Sequence, residues 1–209
     1  MGIFNRLFRK KPLSISRTLI GHNPDSLLKN ATLLKSQGDI EGAIVNLRMA
    51  YDAIRKTSIS YSVQTFLRLP QYLHIAGRKD EAWREFNNLI ACGFPNEIRH
   101  KEIIPMNHSI IYGKMRLFLH REGRHDEAIK FGIYSYLSWT KGLFLQKRKT
   151  ELREFIDKSN VKTVVDELLE KAKKIHLSEK IIVFVEEEIM CLPDVDVVRV
   201  GKKISNIIE

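Results

Sequence analysis

The sequence predicts an all-α fold, a solenoid of about three irregular helical hairpins capped by C-terminal helices, and three observations carry that expectation. One phrase is written three times, as Gln37-Gly38-Asp39-Ile40-Glu41-Gly42-Ala43-Ile44, Ala76-Gly77-Arg78-Lys79-Asp80-Glu81-Ala82-Trp83 and Glu122-Gly123-Arg124-His125-Asp126-Glu127-Ala128-Ile129. Each copy stands between two amphipathic stretches. Apolar residues also recur at helical spacing in the tail, as at Val161, Val164, Val165, Leu168, Leu169 and Ala172, leaving Glu167, Glu170, Lys171 and Lys174 for the opposite face.

Within each phrase the glycine suits the left-handed position that closes a helix, and the acidic residues after it fall in the first turn of the next helix, where the macrodipole favours them. The alanine that follows is small enough for two helix backbones to approach closely. The expected helices are 24–37 and 40–57 around the first corner, 59–76 and 79–92 around the second, and 107–122 and 125–146 around the third. Corner glycines lie 39 and then 46 residues apart, so the array is irregular. Gly93, Pro95 and Pro105 place much of the second excess in a connection with at most a short helix. Further helices are expected at 150–158, 161–176, 178–191 and 194–208. The β-branched runs Ile181 to Val185 and Val195 to Val200 make a strand pair the alternative for that last stretch.

A chain of 209 residues, 44% of them apolar, is ample for one domain with a sizeable core. The organisation expected is a basic amphipathic N-terminal arm at 1–23, a repeat region at 24–146 and a helical cap at 147–209. No apolar run approaches the roughly 20 residues that a bilayer requires. The apolar part of the N-terminus is Ile3, Phe4, Leu7 and Phe8 with no hydrophobic run behind it, which is no secretory signal. Cytoplasmic residence is the expectation. Cys92 and Cys191 are far apart, each in a helical and largely apolar context, and are expected as two buried free thiols. The arm sets Arg6, Arg9, Lys10 and Lys11 beside its apolar residues, suiting weak peripheral contact with an anionic membrane, with an arm that packs on the repeats or stays mobile as the alternative. Arg6 stands where a myristoylation signal wants Ser or Thr.

The residues around the corners resemble the tetratricopeptide repeat (TPR) family over roughly 24–140. In the first unit Leu27, Ala31 and Leu34 fall where that family packs its first helix, and Gly38, Ala43, Leu47 and Ala50 fall on the turn and second helix. The second unit offers Phe66, Leu69, Leu73, Gly77, Ala82, Phe86 and Leu89, with Pro70 where the family has a small residue. The third offers Tyr112, Met115, Leu119, Gly123 and Ala128, with Arg116 in place of that small residue and Gly132 in place of a large one. Spacing also departs from the family's period of about 34. TPR-like is the description these matches support.

The resemblance implies a binding module whose concave face is lined by the first helix of each hairpin. Carried onto this chain, that face comprises Leu28, Thr32 and Lys35, then Gln64, Leu67, Gln71 and His74, then Leu117, His120 and Arg121. Apolar groups mixed with neutral and basic ones favour a polypeptide partner with apolar anchors and acidic character. The net charge of +10 keeps RNA or an anionic membrane surface as the alternative partner, although the basic clusters interleave with acidic residues and no nucleic-acid motif is present. No enzyme is expected: the seven histidines lack metal-ligand spacing, the cysteines form no CxxC, and there is no P-loop or GxGxxG. No cofactor or metal is implied.

Overall fold

The computed structural model describes residues 23–158, 160–192 and 194–209, so the arm expected at 1–23 lies outside the described residues apart from Asn23. Every regular element among them is helical. In chain order these are α1 (Pro24–Ser36), α2 (Ile40–Arg55), α3 (Val63–Phe66), α4 (Arg68–Ile75), α5 (Lys79–Cys92), α6 (Ile104–Arg121), α7 (His125–Leu145), α8 (Lys149–Lys158), α9 (Val161–Lys171), α10 (Ser178–Met190) and α11 (Val197–Ile208). A single 3-10 turn, Ile175–Leu177, precedes α10. The β-branched runs near 181–200 are therefore helical, because burial against α7 and α9 outweighs their modest local preference for strands.

The repeated phrase folds into one corner three times. Gly38, Gly77 and Gly123 sit at φ of 83°, 77° and 75°, a region in which a Cβ would be strained. In each corner the next residue closes a Schellman motif: Asp39 N–H donates to the Leu34 carbonyl, Arg78 to Leu73 and Arg124 to Leu119, all at 2.9 Å. The same closure recurs twice more with lysine at positive φ. Lys147 and Lys173 both have φ of 57°, and the following residues, Arg148 and Lys174, donate back to Leu143 and Leu169 at 3.1 and 2.8 Å.

Asp39 caps α2 through the Gly42 N–H at 2.8 Å. The later corners use an arginine instead. Arg78 grips Glu81 at 2.7 and 2.8 Å and Arg124 grips Glu127 at 2.6 and 2.7 Å, each pair three residues apart on the first turn. Arg148 and Glu151 repeat the fork on α8. These pairs are solvent-exposed and screened, so they add little to stability and serve to fix the corner geometry.

Pro70 breaks the helix expected over 59–76 into α3 and α4. Having no N–H, it leaves the Phe66 carbonyl without its helical donor. The buried Tyr51 hydroxyl of α2 donates to the Thr65 carbonyl at 2.7 Å and lies 3.3 Å from that of Phe66, and burial pushes the phenol well above its ordinary pKa. Tyr51→Phe is expected to lower unfolding stability by about 1–1.5 kcal/mol, read from a denaturant melt.

The connection at 93–103 is irregular, as Gly93 and Pro95 imply. Phe94 stacks on Phe66 at 4.8 Å, and the Asn96 side-chain amide lies 2.9–3.1 Å from the carbonyls of Ile54, Thr57 and Ile59, closing the end of α2. Pro105 is the second residue of α6, where a missing N–H leaves no helical bond unmade.

Two apolar clusters form the core, one from α1–α6 and one centred on α7, α9, α10 and α11. Helix α7 is the wall they share: Phe131 and Tyr134 pack against the first, while Ile129, Ile133 and Leu137 belong to the second. Gly132, the departure from the family pattern, has its reason here. A Cβ at that position would meet Leu168 Cδ1 of α9 at 2.5 Å, so the missing side chain is the space that α9 fills. Glu188 of α10 is buried and pairs with Arg199 of α11 at 2.6 Å. Both cysteines are free, as expected, but both are exposed: Cys92 ends α5 and Cys191 follows α10, where the chain leaves the packed face.

Candidate partner-binding face

Helices α1, α4 and α6 stand side by side, tied by side chains that also make up their outer surface. From α4, Arg68 donates to the Leu28 carbonyl at 2.9 Å and to Thr32 Oγ1 at 2.8 Å, both on α1. Lys35, one turn beyond Thr32, places its ammonium 5.1 Å from the centre of the Tyr72 ring, which Arg68 also approaches. On the other side of α4, His74 meets the Phe118 ring of α6 at 4.2 Å and lies 3.2 Å from the Glu122 carboxylate. Arg121 covers the far side of Phe118 at 5.7 Å, and Leu117, one turn before it, is exposed.

Seven of the ten residues expected on this face have surface there or beside it. Thr32, Lys35, Leu117 and Arg121 are exposed, Gln71 and His74 are half-buried on α4, and Gln64 is exposed on the short α3. Leu28 and Leu67 are corrections. They are 9% and 0% exposed and belong to the core, because the break at Pro70 rotates the start of α4 and α1 leans on it through Arg68. His120 is the third. It is half-buried, with Nδ1 3.0 Å from His125 Nδ1, and the charge of Lys171 on α9 acts on it.

Arg68, half-buried over the core residue Tyr72, is a face residue that the sequence reading missed. Its i, i+4 spacing to Tyr72 on the helix that carries Gln71 was the available signal.

The electrostatics of this strip are one-sided. Among the described residues no carboxylate forms an ion pair with Lys35, Arg68 or Arg121. Their cations rest on aromatic faces, an arrangement worth about 0.5–1 kcal/mol at exposed sites, and while Arg68 is engaged with α1, Lys35 and Arg121 face outward on exposed side chains. Glu122, the nearest carboxylate, is spent on His74 and on Arg124 at 3.1 Å. No group of three or more His, Cys, Asp or Glu side chains among the described residues is placed to hold a metal ion, and no helix among them is long and apolar enough to cross a membrane.

His120 is held below its ordinary 6.5 by burial first, then by Lys171, Arg116 and His125. His108 is lowered by burial too, against the pull of Glu97. Groups whose folded pKa is depressed take up protons more readily when unfolded, so their contribution is present above about pH 6.5 and lost as pH falls through it. The melting temperature is expected to drop between pH 7.5 and 5, and His120→Gln to flatten part of that slope. The Nε of Arg116 and the Nε2 of His120 are buried without a hydrogen-bond partner among the described residues.

No protein-family model, curated protein or solved structure matches this chain.

Proposed function

We propose that this chain is a non-enzymatic, TPR-like helical-repeat module of the cytoplasm that binds an acidic polypeptide segment with apolar anchors along α1, α4 and α6. The observation that carries the reading is the pair of exposed cations, Lys35 and Arg121, seated on Tyr72 and Phe118 of one strip, with no carboxylate among the described residues in an ion pair with either. Leu117 supplies apolar surface on the same strip, and Gln71 supplies a hydrogen-bonding edge. Repetition of one corner geometry, with each helical pair resting on its neighbours, supports solenoid stacking in which first helices share a face.

Charge reversal tests this reading. Lys35→Glu combined with Arg121→Glu is expected to leave the melt within a few degrees of wild type, since both side chains are exposed, and to weaken capture of acidic partners several-fold. Capture is measured by affinity pull-down from nuclease-treated native lysate, with the retained segment identified and rebound as a synthetic peptide. Capture that the double reversal leaves unchanged removes the face from consideration. Capture lost on nuclease treatment transfers the role to nucleic acid.

A further inference from the structure

The end of the molecule farthest from α1 carries a second surface with the opposite charge. Between the α8–α9 junction and the last turns of α10 lies a groove of about 460 Å³, lined by the apolar side chains of Ile156, Val161, Ile189 and Met190 and rimmed by Asp157 and Glu186. Met190 is 86% exposed, the most exposed large apolar residue described. Neither rim carboxylate forms an ion pair among the described residues, although basic residues outnumber acidic ones in the chain. An apolar floor under unpaired carboxylates fits a segment that is apolar and basic together.

Such a segment begins this chain. Residues 1–22 hold Arg6, Arg9, Lys10, Lys11 and Arg17 and no acidic residue, which is half of the net charge of +10, together with Ile3, Phe4, Leu7 and Phe8. We propose that this N-terminal segment docks into the groove of its own chain, its apolar residues on Met190 and Ile189 and its arginines and lysines against Asp157 and Glu186.

The course of the helices places both at one edge. The Gly38, Gly77 and Gly123 corners share an edge, and Lys174, just past the end of α9, reaches it by pairing with Asp126 at 3.3 Å. The start of α9 therefore lies at the opposite edge, and α10, running back from that corner, brings Glu186 to Met190 there. Asn23 opens α1 at that same edge: Asp25 meets Tyr61 at 2.8 Å beside the end of α2, and the end of α2 is closed by Asn96 from beyond the end of α5. Steps from α1 to α4, from α4 to α6, from α6 to α7 and from α7 to α9, at about 8–10 Å between neighbouring helices, cover roughly 32–40 Å. The stretch 9–22 between Phe8 and Asn23 spans up to about 46–50 Å when extended, enough to make the crossing.

A benzophenone amino acid placed at Phe8 of the full-length chain reads the docking directly. Irradiation and peptide mapping are expected to give adducts on Met190 and the neighbouring groove residues, within single chains when isotopically heavy and light protein are mixed. Asp157→Lys with Glu186→Lys is expected to cut the adduct yield several-fold at unchanged helicity. The milder pair Asp157→Asn with Glu186→Gln keeps the test valid if the lysines disturb packing. Adducts elsewhere, adducts only between heavy and light chains, or a yield that neither pair reduces would overturn the proposal.

Discussion

Phe86→Ala is expected to lower the stability of the folded chain by about 3–5 kcal/mol, the range for deleting a large aromatic side chain from a closed core. Phe86 of α5 is fully buried, meets Phe118 of α6 edge-to-face at 5.0 Å and touches the Trp83 ring at 5.8 Å. It is the point where the second helical pair rests on the third. Alanine there leaves a cavity whose walls come from different helices, already fixed by the Gly77 and Gly123 corners, and such walls close poorly. A denaturant melt should show the midpoint falling with little change in slope. Phe144→Ala on α7, where the side chain is 42% exposed, should cost far less and serves as the control.

Gly132→Leu is the second large effect, acting by crowding. Leu168 of α9 is 1% exposed and its Cγ would stand 3.1 Å from a Cβ added at 132, so neither the ring of neighbours nor the leucine has room to give. Overpacking of this kind costs about 1–3 kcal/mol and sometimes more, and here the strain falls on the seam between α7 and α9. Hydrogen exchange is expected to accelerate first in α9 and α10 while α1–α5 remain protected. Gly113→Ala on α6 gives the opposite sign. Its Cβ would meet only Ser135 Oγ at 3.4 Å, and replacing a mid-helix glycine with alanine adds about 0.4–1 kcal/mol.

What the sequence made legible were the features with a local physical cause. Glycine at positive φ, acidic residues in a first turn and alanine at a crossing mark themselves, so three corners and five of the six helices around them lie within a few residues of expectation, the sixth, 59–76, being split into α3 and α4. The corners at Lys147 and Lys173 carry no such mark, because lysine tolerates the left-handed conformation only where tertiary packing enforces it. The fork did leave a trace there, since Arg148 and Glu151 repeat the spacing of Arg78 with Glu81 and Arg124 with Glu127.

The face was harder to foresee, because which side of a helix points outward depends on its neighbour. Leu28, Leu67 and His120 are placed on the face by the family resemblance, which does not foresee the Pro70 break, the reach of Arg68 or the approach of α9. Arg116 and Gly132 were visible as departures from the family pattern, yet only the position of α9 beside α7 gives Gly132 a reason. The exposure of Cys92 and Cys191 follows from helix ends that apolar context alone does not locate.

Partner recognition along α1, α4 and α6 is tested most directly by photo-crosslinking from the face itself. A benzophenone amino acid at Gln71 or Leu117, irradiated in nuclease-treated native lysate, should attach to acidic polypeptide segments, while the same group at exposed Val45 on α2 should give little. Adduct yields at Val45 equal to those at Gln71 and Leu117, or adducts that disappear with nuclease, would show that this strip is not where a protein partner binds.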